Sequence, residues 1–262
     1  MFEVARYEAR RRLRGAVYLS IGLSLLAGMY IGTFPSIATD VDLDEFIEQM
    51  PEIFTELFNI ATMNTIEGFL AAELYSIGWT LLLGLYVAYS AASLIAEDID
   101  RDRMDILLSL PISRAQLLGE KFLALLVPIV VVNVFVPIVV YVGTAAVGYP
   151  IDPINLAMVH ALSIPYLLAC AGIGLVLSVL VDRATIAQRG SLVLLFGLFL
   201  FESLTVVAGY DWLGSIAPMR YFNPTGVLVE SSYDLLGGAI LMVGTAVLVV
   251  GSALYFRRRD VE

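Results

Sequence analysis

Six apolar runs, each long enough to cross a lipid bilayer, constrain this chain more than any other feature. A hydrocarbon core of about 30 Å takes roughly 20 apolar residues as a helix. Segments 15–34, 74–95, 120–147, 155–181, 187–209 and 235–256 meet that length. Backbone amides and carbonyls cannot stay unpaired in hydrocarbon, so each run is predicted to be a helix. Arg and Lys are kept to the edges of these runs, as at Lys121 and Arg189. Only 15% of residues are charged, against roughly a quarter in soluble domains. The chain therefore reads as one all-α membrane domain over residues 1–262, and a water-soluble enzyme is excluded.

The basic residues orient the spans. Six crossings place the N-terminus, loops 96–121 and 182–189, and the C-terminus on one side. Those pieces hold 14 of the 15 basic residues and leave Arg220 opposite. Both termini are predicted to be cytoplasmic. Phe2 to Arg14 reads as an interfacial helix leading into the first span, with Phe2, Ala5, Ala9 and Leu13 toward lipid and the arginines snorkelling. A cleavable signal is disfavoured, because the following apolar stretch exceeds the 7–15 residues usual for one. Loop 35–73 has nine acidic residues and no basic one. Its segment 41–63 spaces Phe46, Ile47, Met50, Ile53, Phe54, Leu57 and Phe58 as an outer amphipathic helix, which Pro51 would kink.

Polar residues inside spans are costly and become site candidates by default. Asn133 sits near mid-depth of the third span, between Pro128 and Pro137. His160 and Glu202 fall at depths of roughly 8 and 10 Å from the outer side, close enough in level to pair. A structural pair is the plainer reading, and contact with a transported molecule the sharper one. Pro128, Pro137 and Pro165 interrupt spans, either as hinges or as fixed shape. In span four, Gly172 and Gly174 permit close helix packing.

Several chemistries are excluded. His160 and Cys170 are the only residues of their types, so multi-histidine metal sites, bis-histidine haem and internal disulfides are ruled out. No metal or directly bound cofactor is expected. No H-E-x-x-H or G-x-S-x-G occurs. Lys121 is the only lysine, and it follows Glu120 and precedes Phe122. A G-K-[ST] phosphate loop cannot be formed. No basic stripe suits nucleic acid.

The segment Glu97 to Lys121 is the most informative. Asp100 and Asp102 favour a helix start through the dipole, Met104, Leu107 and Leu108 share a face, and Pro111 ends the helix. Ser113-Arg114-Ala115-Gln116 is a capping box opening the next helix. An apolar face on this side must be covered by lipid or by a protein.

Leu107 to Arg114, with Leu117-Leu118-Gly119-Glu120-Lys121, resembles the first cytoplasmic loop of type 2 ABC exporter permeases, including the branch of copper-enzyme-maturation transporters. Glu97 and Arg101 match the opening of that motif, whereas Asp102-Arg103 replaces its Gly-Thr. Ala217-Pro218-Met219-Arg220-Tyr221-Phe222-Asn223-Pro224 is similar to a second family stretch. The resemblance implies that this loop is a coupling helix docking on a separate ATPase subunit. Met104, Leu107, Leu108, Leu110, Pro111 and Arg114 would enter the ATPase groove, with Glu97 a neighbouring polar contact. It also implies two ATPase copies, a second permease subunit (identical or a paralogue), a plasma-membrane location, and ATP bound only by the partner. Two rivals remain: an ion-coupled carrier, for which Glu202 is the one clear membrane carboxylate, and a non-transporting anchor. Finally, the net charge of −10 is unevenly placed. The inner side mixes 14 basic with 11 acidic residues while the outer side is nearly all acidic, a pattern suited to a high-salt habitat.

Overall fold

The structure, a computed structural model, describes residues 3–40, 49–51, 54–55, 62–104, 107, 109 and 111–259. The described residues form helices and turns without strands. α1 runs Glu3–Asp40 and α2 runs Ile66–Ala92. A short α3, Ala96–Asp100, leads through a turn to α4, Arg114–Leu123, and α5, Leu126–Ala146. α6 is Pro153–Leu180 and α7 is Ala184–Val207. Two 3-10 turns, Asp211–Ile216 and Pro218–Tyr221, precede α8, Pro224–Leu228, and α9, Leu235–Arg258. Among the described residues six helices are long and apolar enough to cross a membrane, with α4 and α5 together forming the third. The protein is a multi-pass membrane protein.

Each element begins and ends for a local reason. Thr65, Ser113, Asp152, Asn223 and Asp234 accept hydrogen bonds from first-turn amides that would otherwise be unpaired. Ser113 Oγ accepts from the Gln116 amide at 3.1 Å, as its capping position predicts. α5 and α7 end with Gly148 at φ +87° and Gly209 at φ +74°. In both, the next residue's amide bonds five residues back, Tyr149 to Thr144 and Tyr210 to Thr205. This is the Schellman arrangement, which needs a left-handed residue.

Three expectations change. The interfacial helix and the first span are one uninterrupted helix, α1, with Ala5 and Ala9 half-buried and Leu13 exposed. The apolar run 120–147, expected to form one helix, is broken at Ala124–Leu125. Pro128 lacks the amide that would bond the Ala124 carbonyl, and its ring crowds that carbonyl. Pro137 and Pro165 remain inside their helices. Span boundaries also lie several residues outside the hydropathy limits in α1, α2 and α4, because helices continue beyond the apolar runs. Most of 41–63, including Phe46, Ile47, Ile53, Leu57 and Phe58, lies outside the described residues, as does Phe2.

α6 sits at the centre, packed on α2, α5, α7 and α9, while α1 lies against α5. Both glycines read as packing positions do pack. A β-carbon on Gly174 would overlap the Ala88 carbonyl of α2, and one on Gly172 would come 3.2 Å from Leu248 of α9. α2 is π-helical over Ala71–Leu83. Where the wider winding returns to α, carbonyls lose their regular partners, and the Tyr166 hydroxyl of α6 donates to the Thr80 carbonyl at 2.6 Å. α1, α7 and α9 are peripheral and expose apolar side chains such as Leu25, Val193 and Val243.

Candidate functional site: the 97–121 segment and two buried polar clusters

Sequence and structure both direct attention to the side that carries the chain ends. There α3 stops in another Schellman arrangement: Asp102 N–H donates to the Ile99 carbonyl and Arg103 N–H to the Asp98 carbonyl. Asp102 takes φ +51°. This is the position the family motif gives to glycine. Aspartate tolerates the left-handed region better than most residues, so the turn survives the replacement.

Beyond the turn, the seven residues assigned to partner docking divide. Pro111 is exposed and Leu107 is half-buried against the core, whereas Leu108 and Leu110 lie outside the described residues. Met104 is only 3% exposed, within the hydrophobic core. Arg114 is turned inward as well. Its guanidinium donates to the carbonyls of Phe256 and Arg259 and lies 5.7 Å from the Phe256 ring centre. A cation at a helix C-terminus meets unpaired carbonyls and the negative end of the dipole. Met104 and Arg114 thus brace this chain's own fold instead of projecting outward. Arg259 extends the brace, donating to the Val179 carbonyl and pairing with Asp182.

Glu97 belongs to an ion-pair network that the sequence reading missed. It lies 3.0 Å from Arg101 and 3.6 Å from Arg103, and Arg103 lies 3.0 Å from Asp98. Asp98 also pairs with Lys121, which is buried. From α1, buried Glu8 lies 3.8 Å from Lys121, Arg11 and Arg12. Glu120, also buried, accepts from the Ala5 amide at 3.2 Å and from Gln116 at 2.8 Å. Ser178 of α6 accepts from the amides of Ile95 and Ala96, fixing the start of α3. The 97–121 segment is thus tied to α1 and α9, and the chain leading into it to α6. One signal was available in the sequence: a lone lysine at a span edge, where burial demands a carboxylate partner.

The second cluster lies within the membrane helices. His160 Nε2 is 3.0 Å from the Tyr75 hydroxyl, and His160 Nδ1 is 3.0 Å from Asn133 Oδ1. Asn133 Nδ2 donates to the Ile129 carbonyl at 2.9 Å, which turns its oxygen toward the imidazole. An oxygen there can only accept, so Nδ1 carries the proton and Nε2 accepts from Tyr75. Ser163 Oγ lies 2.8 Å from Asn133 Oδ1 and from the His160 carbonyl. The Trp79 ring meets the imidazole edge-on at 4.8 Å. Asn133 and His160 also line an otherwise apolar cleft of about 500 Å³ between α5 and α6.

This corrects the expected pairing of His160 with Glu202. Glu202 is on α7 beside the first 3-10 turn, where a β-carbon on Gly214 would sit 3.2 Å from Glu202 Cγ and 3.3 Å from Arg220 Nη1. Glu202 therefore shares a neighbourhood with Arg220. Equal depth brought the residues to one level, but helix rotation pointed them apart.

The family model described as "ABC-2 family transporter protein" matches residues 2–261. No curated protein matches the chain.

Proposed function

The chain belongs to the ABC-2 family of transporter proteins, and we propose that it is the permease subunit of an ATP-driven exporter whose ATP hydrolysis resides in a separate subunit. The family match across nearly the whole chain carries this reading and supports it over the carrier and anchor alternatives. Family members work with an ABC ATPase and sit in the membrane. Two ATPase copies and a second permease, identical or paralogous, complete the proposed assembly. Both termini and the 97–121 segment face the cytoplasm of a plasma membrane, since that side holds 14 of 15 basic residues. In this reading the chain is not an enzyme and ATP binds only to the partner, since Lys121, its sole lysine, follows Glu120 and precedes Phe122 and cannot complete a G-K-[ST] phosphate loop.

Mechanically, an ATPase closing beneath the segment would push on its tip, Leu107 to Pro111. Rigid links then matter more than the docking contact. The Lys121–Asp98 pair ties the two ends of the segment together, the Lys121–Glu8 pair carries the displacement to α1, and Arg114 carries it to α9. Packed interfaces respond to such pushes by switching between arrangements. Spans around a path at the permease dimer interface would reorient as a result.

Leu108→Asp tests the docking. The variant is expected to insert in the membrane in normal amount yet lose co-purification with the ATPase subunit and ATP-driven transport. Normal pull-down and normal transport would remove the assignment of this loop as the coupling element.

A further inference from the structure

The ion-pair network encloses a pocket of about 250 Å³ between α1, the inner end of α2, the α3 turn and α4. Its walls carry four cations, Arg11, Arg12, Arg103 and Lys121, against three carboxylates. The pairing is uneven. Lys121 and Arg103 hold Asp98 closely, but Glu8 stands alone among Arg11, Arg12 and Lys121, at 3.8 Å from each. That distance is the limit of an ion pair and beyond hydrogen-bond reach. Two buried guanidinium atoms, Arg12 Nε and Arg103 Nε, lack a hydrogen-bond acceptor among the described residues. Buried donors of this kind are normally paired. Among the described residues the pocket is short of one anion with several acceptor oxygens.

Its setting indicates which anion. Tyr86 and Tyr89 line the pocket and remain about two-fifths exposed on the outside of α2. Such half-exposed tyrosines mark the level of lipid headgroups. One turn deeper, Leu82 is exposed toward hydrocarbon. A molecule seated here would therefore place an anionic head among the arginines and an apolar chain along Leu82. Basic pockets between membrane helices bind anionic headgroups in this way.

We infer that this pocket is a binding site for the phosphate of an anionic lipid in the leaflet on the side of the chain ends. The phosphate oxygens accept from Arg12 and Arg103 and supply the negative charge that Glu8 alone does not. Because the same residues tie α1 to the 97–121 segment, bound lipid would stiffen that junction. The inference does not depend on the exporter reading.

Native mass spectrometry of the purified full chain in neutral detergent provides the test. The chain is titrated with dioleoyl-phosphatidylglycerol, with dioleoyl-phosphatidylcholine, and with soluble glycerol 3-phosphate as competitor. The wild type is expected to bind the anionic lipid at least about fivefold more tightly than the zwitterionic one. Arg12→Gln and Arg103→Gln should each weaken that binding about fivefold, the value of one arginine near a lipid surface, and leave phosphatidylcholine unaffected. Arg10→Gln, on the exposed opposite face of α1, should change it less. Thermal melts establish that each variant is folded. Arg103→Gln decides alone should Arg12→Gln fail, because Asp98 keeps Lys121 in that variant. Equal affinity for both lipids, or an equal loss in Arg10→Gln, overturns the proposal. Displacement of the lipid by equimolar glycerol 3-phosphate overturns the lipid as occupant and assigns the site to a soluble phosphate ester.

Discussion

The protein buries two polar clusters, and they solve the same problem in opposite ways. Around Lys121 the groups are ionised and opposed: Asp98 and Glu8 against Lys121, Arg12 and Arg103. Around His160 every group is neutral and the cluster is a directed chain of hydrogen bonds from Tyr75 through His160 to Asn133 and the Ile129 carbonyl. Position explains the difference. The first cluster lies where α1, α3 and α4 meet at the end of the bundle. There, long side chains reach the interface and the cost of charge is moderate. The second lies among three membrane helices, where an ionised group is expensive and a satisfied neutral network is tolerated. A charged cluster can transmit force and attract an ion. A neutral one can only fix geometry.

Four substitutions test this contrast, in decreasing order of effect. Lys121→Met removes the shared cation, leaving Asp98 with Arg103 alone and Glu8 with only the 3.8 Å contacts to Arg11 and Arg12. Breaking a buried pair from one side costs about 3–5 kcal/mol, so this variant should show the lowest melting temperature and the poorest yield of monodisperse protein. A wild-type melt in Lys121→Met would mean that the ion pairs do not hold the junction. His160→Leu leaves the Tyr75 hydroxyl and the Asn133 oxygen without their shared partner, at about 1–3 kcal/mol. Its companion Tyr75→Phe removes one hydrogen bond, worth roughly 0.6 and at most about 1.7 kcal/mol between membrane helices. A double-mutant cycle between them should return a coupling of that size. A coupling of zero would break the chain inferred from the tautomer. Asp102→Gly leaves every charge pair of the network in place and relieves the left-handed aspartate. It should raise stability by up to about 1 kcal/mol, seen as a slightly higher melting temperature with unchanged ATPase co-purification.

Much of the fold was legible along the chain. The six helices follow from run length, and the start of α4 follows from Ser113 and Gln116. Gly172 and Gly174 packed as small residues do. The candidate site was legible only in part. Asn133 and His160 were singled out separately, and the structure joins them through Tyr75, which looked like any other aromatic in an apolar run. Glu202 was matched to His160 by depth alone, and depth says nothing about which way a helix is turned. Met104 and Arg114 fell on a motif whose resemblance implied outward contact, yet both have better partners inside: the core for a thioether, helix-end carbonyls for a guanidinium. Asp98 and Glu8 carried no local mark, because a carboxylate becomes significant only through the cation that folding brings to it.

Membrane class, number of spans, the sidedness of charge and the family motif were fixed by the order of residues, since hydrocarbon imposes the same demands on every segment independently of its neighbours. Rotation about each helix axis decided the rest. Hydropathy is nearly uniform around these helices, so no apolar stripe dictates which face turns inward. Only the simultaneous packing of α6 against α2, α5, α7 and α9 selects those faces. That packing brings Tyr75, Asn133 and His160 together, and the meeting of α1, α3 and α4 sets Lys121 between Glu8 and Asp98.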